Sequence, residues 1–229
     1  MEAVLELSGL RFGYGSDLVL EDVSFRVGRG ESVGIVGANG AGKSTLLWCV
    51  AGLLRAKGNI RVFGEAPGSG TRGRVGMVFQ NPEDQLFMPT LIQDLALPLI
   101  NAGVSRDAAH RAAMERLREF GLESYAGRPA TQLSLGQRKR AAIALALMRR
   151  PELLLLDEPT AELDGRGVRK LTETLAGIDT AKLIASHHLS FLRRVTTRAL
   201  VLSAGRVIAD GATETILADE ALLERSGLV

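Results

Sequence analysis

Eight consecutive residues, Gly37-Ala38-Asn39-Gly40-Ala41-Gly42-Lys43-Ser44, fit the pattern G-x-x-x-x-G-K-[ST], whose chemistry is phosphate binding. Glycines let a backbone wrap an anion with its N–H groups turned inward, so Gly37, Asn39, Gly40, Ala41, Gly42 and the following Thr45 are expected to cradle a phosphate chain. Lys43 adds a mobile cation, and the Ser44 hydroxyl suits Mg²⁺. Further along, four leucines run into Asp157-Glu158-Pro159. Two adjacent carboxylates at the end of an apolar strand are costly without cations. Asp157 suits Mg²⁺ reached through water, and Glu158 suits a general base that orients and deprotonates an attacking water. The bland readings are a glycine-rich turn ahead of a helix and a pair of exposed acids. The sharper reading is phosphoryl transfer to water.

Such groups need particular elements behind them. Ser32 to Gly37 reads as a short apolar strand and about Gly42 to Leu54 as the helix after the loop, the start of a βα unit. Ahead of it, alternation over Val4 to Leu7 and Val19 to Val27, with Gly13, Gly15, Gly28 and Gly30 as punctuation, predicts an antiparallel hairpin or small sheet. Asn59 to Phe63 and Arg74 to Phe79 read as strands, and helical periodicity fills about Thr90 to Arg149 with breaks near Gly103, Gly121 and Gly127. Buried-type strands return at Leu153 to Leu156, Lys182 to Ala185 and Ala199 to Leu202, alternating with helices around Val168 to Leu175 and Leu189 to Val195. A hairpin near Ala204 to Gly211 and two short helical stretches end the pattern.

The 229 residues suit one substantial core, and a formal charge of +2 leaves no field suited to general nucleic-acid binding. One cysteine, Cys49, excludes an internal disulfide framework, and Met1-Glu2-Ala3-Val4 has no signal-peptide character, so a cytoplasmic location is expected. No apolar run approaches the ~20 residues of a membrane span, so membrane work would need other chains. Trp48 and Cys49 read as packing residues, and Arg138-Lys139-Arg140, with no interleaved aromatics, as a solvated helix face.

Leu133-Ser134-Leu135-Gly136-Gln137 precedes an Arg- and Ala-rich stretch, and Ser134-x-x-Gln137 is by itself a capping box. Standing between the phosphate loop and the acidic strand, these five residues resemble the LSGGQ-type signature of the ATP-binding-cassette (ABC) ATPases, with Leu135 in place of the first glycine. The resemblance implies an α/β fold over residues 1–229: a P-loop NTPase (RecA-like) core with an N-terminal antiparallel β subdomain (about 1–84 and 151–229) and an inserted α-helical subdomain (about 85–150). It implies ATP and Mg²⁺ as ligands. It also implies that Ser134, Gly136 and Gln137 face the γ-phosphate and ribose of a nucleotide held by a second protomer, identical or paralogous. Gln80 matches the Q-loop glutamine that joins Mg²⁺ and water to the transporter contact. His187 matches the switch histidine that reaches the γ-phosphate and Glu158. Asp164 matches the D-loop at the dimer interface, although an Asp before Gly165 also suits a turn or helix cap. Tyr14 matches the aromatic that stacks on adenine, against an ordinary β-turn aromatic. His188 stands where the family has Asp and is expected at the surface.

Phe79-Gln80-Asn81-Pro82-Glu83-Asp84-Gln85-Leu86-Phe87, continued by Met88-Pro89-Thr90, is similar to the Q-loop stretch of the cobalt, nickel and biotin transporter ATPases, the energy-coupling-factor group. Gln93-Asp94 departs from the more usual Glu-Asp, and the longer carboxyl-terminal extension of some members is missing. This likeness implies integral membrane transporter subunits as partners, no nucleic acid, and a peripheral position at the inner face of the cell membrane. A soluble family member serving iron–sulfur cluster assembly would share the core motifs. A DNA-repair member would interrupt them with a long coiled coil, and a P-loop kinase would not explain LSLGQ.

Overall fold

The computed structural model describes residues 2–228; Met1 and Val229 lie outside the described residues. β1 (Ala3–Tyr14) and β2 (Asp17–Gly28) form the expected hairpin, closed at Gly15-Ser16 with Gly15 at φ +61°. β3 (Ser32–Val36) leads through the glycine-rich loop into α1 (Lys43–Val50). β4 (Lys57–Val62) then pairs antiparallel with β1, giving a three-stranded sheet of order β2-β1-β4. After β5 (Val75–Val78) come α2 (Leu91–Ile100), α3 (Arg106–Glu119) and α4 (Leu135–Ala146). The chain continues through β6 (Leu153–Asp157), α5 (Gly165–Ala176), β7 (Ala181–Ala185) and α6 (Leu189–Val195). It closes with β8 (Arg198–Ser203), β9 (Arg206–Ala212), α7 (Thr213–Ala218) and α8 (Glu220–Arg225).

The second sheet has the order β5-β6-β7-β3-β8-β9, parallel from β5 to β8 with β9 antiparallel at the edge. Both faces of its parallel part are covered, which explains the unbroken apolar runs. Along β6, Leu153 and Leu155 pack with α1 and the antiparallel sheet, while Leu154 and Leu156 pack with α4, α5 and α6. β8 divides likewise, Leu200 and Leu202 to the first cluster, Ala199 and Val201 to the second. A third cluster joins α2, α3 and α4 through Leu91, Leu95, Ala113, Leu117, Ala141 and Ala144. This is the expected α/β nucleotide-binding architecture, with an antiparallel sheet at one side and a helical layer at the other.

Two helices stop sooner than periodicity suggests. α1 ends at Val50 rather than Leu54 because Gly52 turns left-handed at φ +73°. Between α3 and α4 the chain makes two short 3-10 turns, Glu123–Tyr125 and Ala130–Gln132, after Gly121 at φ +61° ends the helical run. Among the described residues no helix is long and apolar enough to cross a membrane.

At Gly58 the backbone of β4 lies tight against that of β1. The Gly58 φ is +96°, and a Cβ there would overlap the Gly9 carbonyl oxygen. Gly58→Ala is therefore expected to lower the unfolding free energy by about 1–3 kcal/mol, from backbone strain and overlap together. Urea unfolding checks this; an unchanged midpoint would mean that β4 can draw away from β1 without loss.

Candidate functional site

Four of the five parallel strands deliver candidate residues at their carboxyl ends, where ligands bind in open α/β folds. β3 delivers the glycine-rich loop, β5 leads to Gln80, β6 ends in Asp157 and Glu158, and β7 is followed by His187. They meet around a cavity of about 420 Å³ lined by Asn39, Gly40, Gly42, Lys43, Ser44, Thr45, Gln80, Glu158 and His187, with Val19 of β2 at its side. Gly37 and Ala41 hold the loop from behind. A Cβ on Gly37 would overlap the Leu202 carbonyl oxygen, and the Ala41 N–H donates to Ala38 O over 3.1 Å.

Gly40 and Gly42 adopt φ +80° and +100°, a region that disfavours any side chain. α1 starts at Lys43 with no capping side chain, whereas Ser105, Ser134 and Asp164 cap α3, α4 and α5. The first-turn N–H groups of α1 thus remain donors at the positive end of a helix dipole, the requirement for holding phosphate. Lys43 Nζ donates to Gly37 O (2.8 Å) and Ala38 O (3.2 Å) and lies 3.7 Å from Glu158 Oε1.

The two carboxylates differ in environment. Burial pushes the Asp157 carboxyl above the usual range, opposed first by the 2.9 Å bond it accepts from Ser44 Oγ. Glu158 is 6% exposed and sits at φ +42°, which a non-glycine residue holds at a strain of about 1–3 kcal/mol. Its Oε2 lies 2.9 Å from His187 Nδ1 and accepts the His187 backbone N–H over 3.3 Å. Glu158 thus stands between an ammonium and an imidazole, both of which line the same cavity.

For Mg²⁺ the donor set fits: the Ser44 hydroxyl, the Asp157 carboxylate and the Gln80 amide are all oxygen donors. Among the described residues no cluster of three His, Cys, Asp or Glu could hold a metal alone.

The structure does not bring every expected residue to this cavity. Ser134, Gly136, Gln137 and Asp164 line a different one, of about 600 Å³, at the start of α4 and α5. The capping box is real: Gln137 Oε1 accepts the Ser134 N–H at 2.7 Å and Ser134 Oγ accepts the Gln137 N–H at 3.4 Å. Asp164 Oδ1 likewise accepts the Gly167 N–H at 2.7 Å. Tyr14 lines neither cavity; the residue is 49% exposed and its ring packs edge-on against Phe12 with the ring centroids 4.9 Å apart. His188 opens α6 without a side-chain cap, its Nε2 lying 3.2 Å from Ser190 Oγ.

One expectation is overturned. Arg138-Lys139-Arg140 is not a solvated face: Lys139 is 3% exposed, Arg138 Nη1 donates to Leu133 O at 2.7 Å, and Arg140 Nη1 donates to Phe120 O at 2.6 Å. Each base satisfies a carbonyl that the neighbouring turns leave open. Gln85 was also missed. Its amide donates to Met77 O (3.0 Å) and Ala142 O (3.3 Å), clamping the segment after Gln80 between β5 and α4. Beyond this clamp lies a groove of about 420 Å³ whose walls include Met77, Gln85, Leu97, Pro98 and Arg149, with Phe87 68% exposed beside it. Asp94 holds that loop, its Oδ1 accepting the Phe87 and Met88 N–H groups at 3.0 Å each.

The chain as a whole is similar to known proteins. The cobalt import ATP-binding protein CbiO of Rhodobacter capsulatus is 38% identical over 239 residues, covering 100% of this chain and 85% of that protein. The energy-coupling factor transporter ATP-binding protein EcfA of Methanothermobacter thermautotrophicus is 36% identical over 236 residues, covering 98% and 76%. The solved structure of CbiO1 from Clostridium perfringens, described as part of the ABC transporter complex CbiONQ, superposes with a TM-score of 0.83 at 30% identity, covering 100% of this chain and 96% of that one. Residues 20–161 match the family model described as ABC transporter, a span that holds the phosphate loop, the signature and both acids, and the chain belongs to the ATP-binding subunits of that family.

Proposed function

We propose that the chain hydrolyses ATP and that two copies, or one copy and a paralogue, close on two nucleotides to do so. The observation that carries this reading is the separation of the two half-sites: the phosphate-loop cavity and the signature cavity share no lining residue within one chain. A second protomer supplies what each lacks. Loop N–H groups, Lys43 and His187 hold the γ-phosphate, and Tyr14, at the end of β1 outside the cavity lining, stacks on adenine. Ser134, Gly136 and Gln137 of the other protomer meet the same phosphate and ribose, with Asp164 at the interface. Glu158 orients a water and takes its proton as the water oxygen attacks phosphorus and the bond to the β–γ bridging oxygen breaks. Ser44, Asp157 and Gln80 would hold Mg²⁺, which when bound neutralises phosphate charge.

The work driven is uptake across a membrane, with a transition-metal ion (cobalt or nickel) or a vitamin such as biotin as cargo. The groove beside Phe87 receives the integral membrane subunits, and the chain sits at the cytoplasmic face of the cell membrane. Purification of the tagged chain from detergent-solubilised native membranes tests this. Recovery with an integral membrane protein and with Mg-ATP hydrolysis is expected. Recovery only from the membrane-free fraction would favour a soluble family member, such as one serving iron–sulfur cluster assembly.

A further inference from the structure

Lys139 lies near the start of α4, five residues beyond Ser134, with its side chain turned into the protein. Its Nζ donates to Gln80 O at 2.9 Å and to Glu158 O at 3.2 Å, so one ammonium spans the end of β5 and the end of β6. Burial lowers its pKa, and the nearby carboxylates of Glu162, Glu158 and Asp157 oppose that shift. An apolar side chain of similar size would avoid this desolvation, so the cation is there for what it holds. What it holds is the backbone of Glu158, in a left-handed conformation that persists only where neighbours over-determine it. Glu162, a few residues on, is left-handed too at φ +61° and lines the small cleft between the Gln80 segment and α4 with Lys139.

We propose that Lys139 is a positioning residue: its ammonium ties α4 and the Gln80 segment to the Glu158 backbone and thereby aims the Glu158 carboxylate at the attacking water. This rests on the hydrolysis reading. It gives the start of α4 two roles, Ser134 toward the second protomer's nucleotide and Lys139 toward Glu158 of its own chain.

The test is a double-mutant cycle on the full chain, read by steady-state and single-turnover hydrolysis of γ-phosphate-labelled ATP. Lys139→Met is expected to lower kcat by about 10- to 100-fold with KM within about threefold, the signature of a misaligned group rather than lost binding. In a Glu158→Gln background the same change should cost less than about twofold, because a residue acting through Glu158 has nothing left to position. Lys139→Arg, which keeps charge and donors, should return kcat to within about fivefold of the parent. A Lys139→Met rate within twofold of the parent, or an equal loss in both backgrounds, would overturn the proposal. Should Lys139→Met lose its cooperative melt, Lys139→Gln is measured in the same two backgrounds and judged by the same criteria. A parent chain that hydrolyses ATP with additive mutants removes Lys139 alone, whereas a parent that does not hydrolyse ATP removes the hydrolysis reading and this proposal with it.

Discussion

Glu158→Gln is expected to lower ATP turnover by about 10²- to 10⁴-fold while leaving Mg-ATP binding intact, the range for losing a general base. Glutamine keeps the size and one oxygen acceptor of the side chain but cannot take a proton from water. The carboxylate it replaces is buried between Lys43 Nζ at 3.7 Å and His187 Nδ1 at 2.9 Å, in the cavity lined by the phosphate loop. The contacts proposed for the loop backbone with phosphate and for Ser44 with Mg²⁺ do not involve this side chain, so affinity should hold. Phosphate release and a nucleotide-binding titration on the same sample check both halves. Turnover within tenfold of the parent would remove Glu158 as the base.

The second large effect concerns sharing of sites between protomers. Lys43→Ala removes the phosphate-loop cation, and Ser134→Arg places a long cation at the capped start of α4, so each variant alone is expected to lose nearly all turnover. Mixed together, they should recover activity. In a mixed dimer one site receives Lys43 from the Ser134→Arg chain and Ser134 from the Lys43→Ala chain, while the other site carries both lesions. With random pairing, half the dimers are mixed and each has one intact site of two. About a quarter of parent activity is then the ceiling, if sites fire independently. Phosphate release against mixing ratio measures this. Full activity in either single variant, or no recovery on mixing when mixed dimers are demonstrably present, would argue that each chain completes its own site.

Much of this was readable from the residues alone, because the informative patterns are local. The glycine-rich loop, the leucine run ending in Asp157-Glu158 and the strand before His187 each occupy a short window, and β-sheet physics carries their last residues to one edge. The capping box at Ser134 was equally local. What escaped depends on neighbours distant in sequence. Lys139 meets a carbonyl 59 residues earlier and another 19 residues later, and nothing in a basic tripeptide announces either. A signal was available in the helical period: Lys139 stands three and four residues before Ala142 and Ile143, both fully buried, so all three share a face. The steric demand on Gly37 was likewise invisible, since the obstructing carbonyl belongs to Leu202 at the end of β8. The overlong α1 came from reading apolar spacing past Gly52, whose left-handed turn ends the helix.

Nucleotide-driven pairing is what the whole account depends on, and the mass in solution of the Glu158→Gln variant reports it directly. Light scattering during gel filtration, with Mg-ATP at saturation and then without nucleotide, is the measurement. A shift from one chain to two on adding Mg-ATP, abolished by Ser134→Arg in the same background, is the predicted result. A single chain under every condition, with nucleotide bound and the cognate membrane subunits either present or absent, would contradict it.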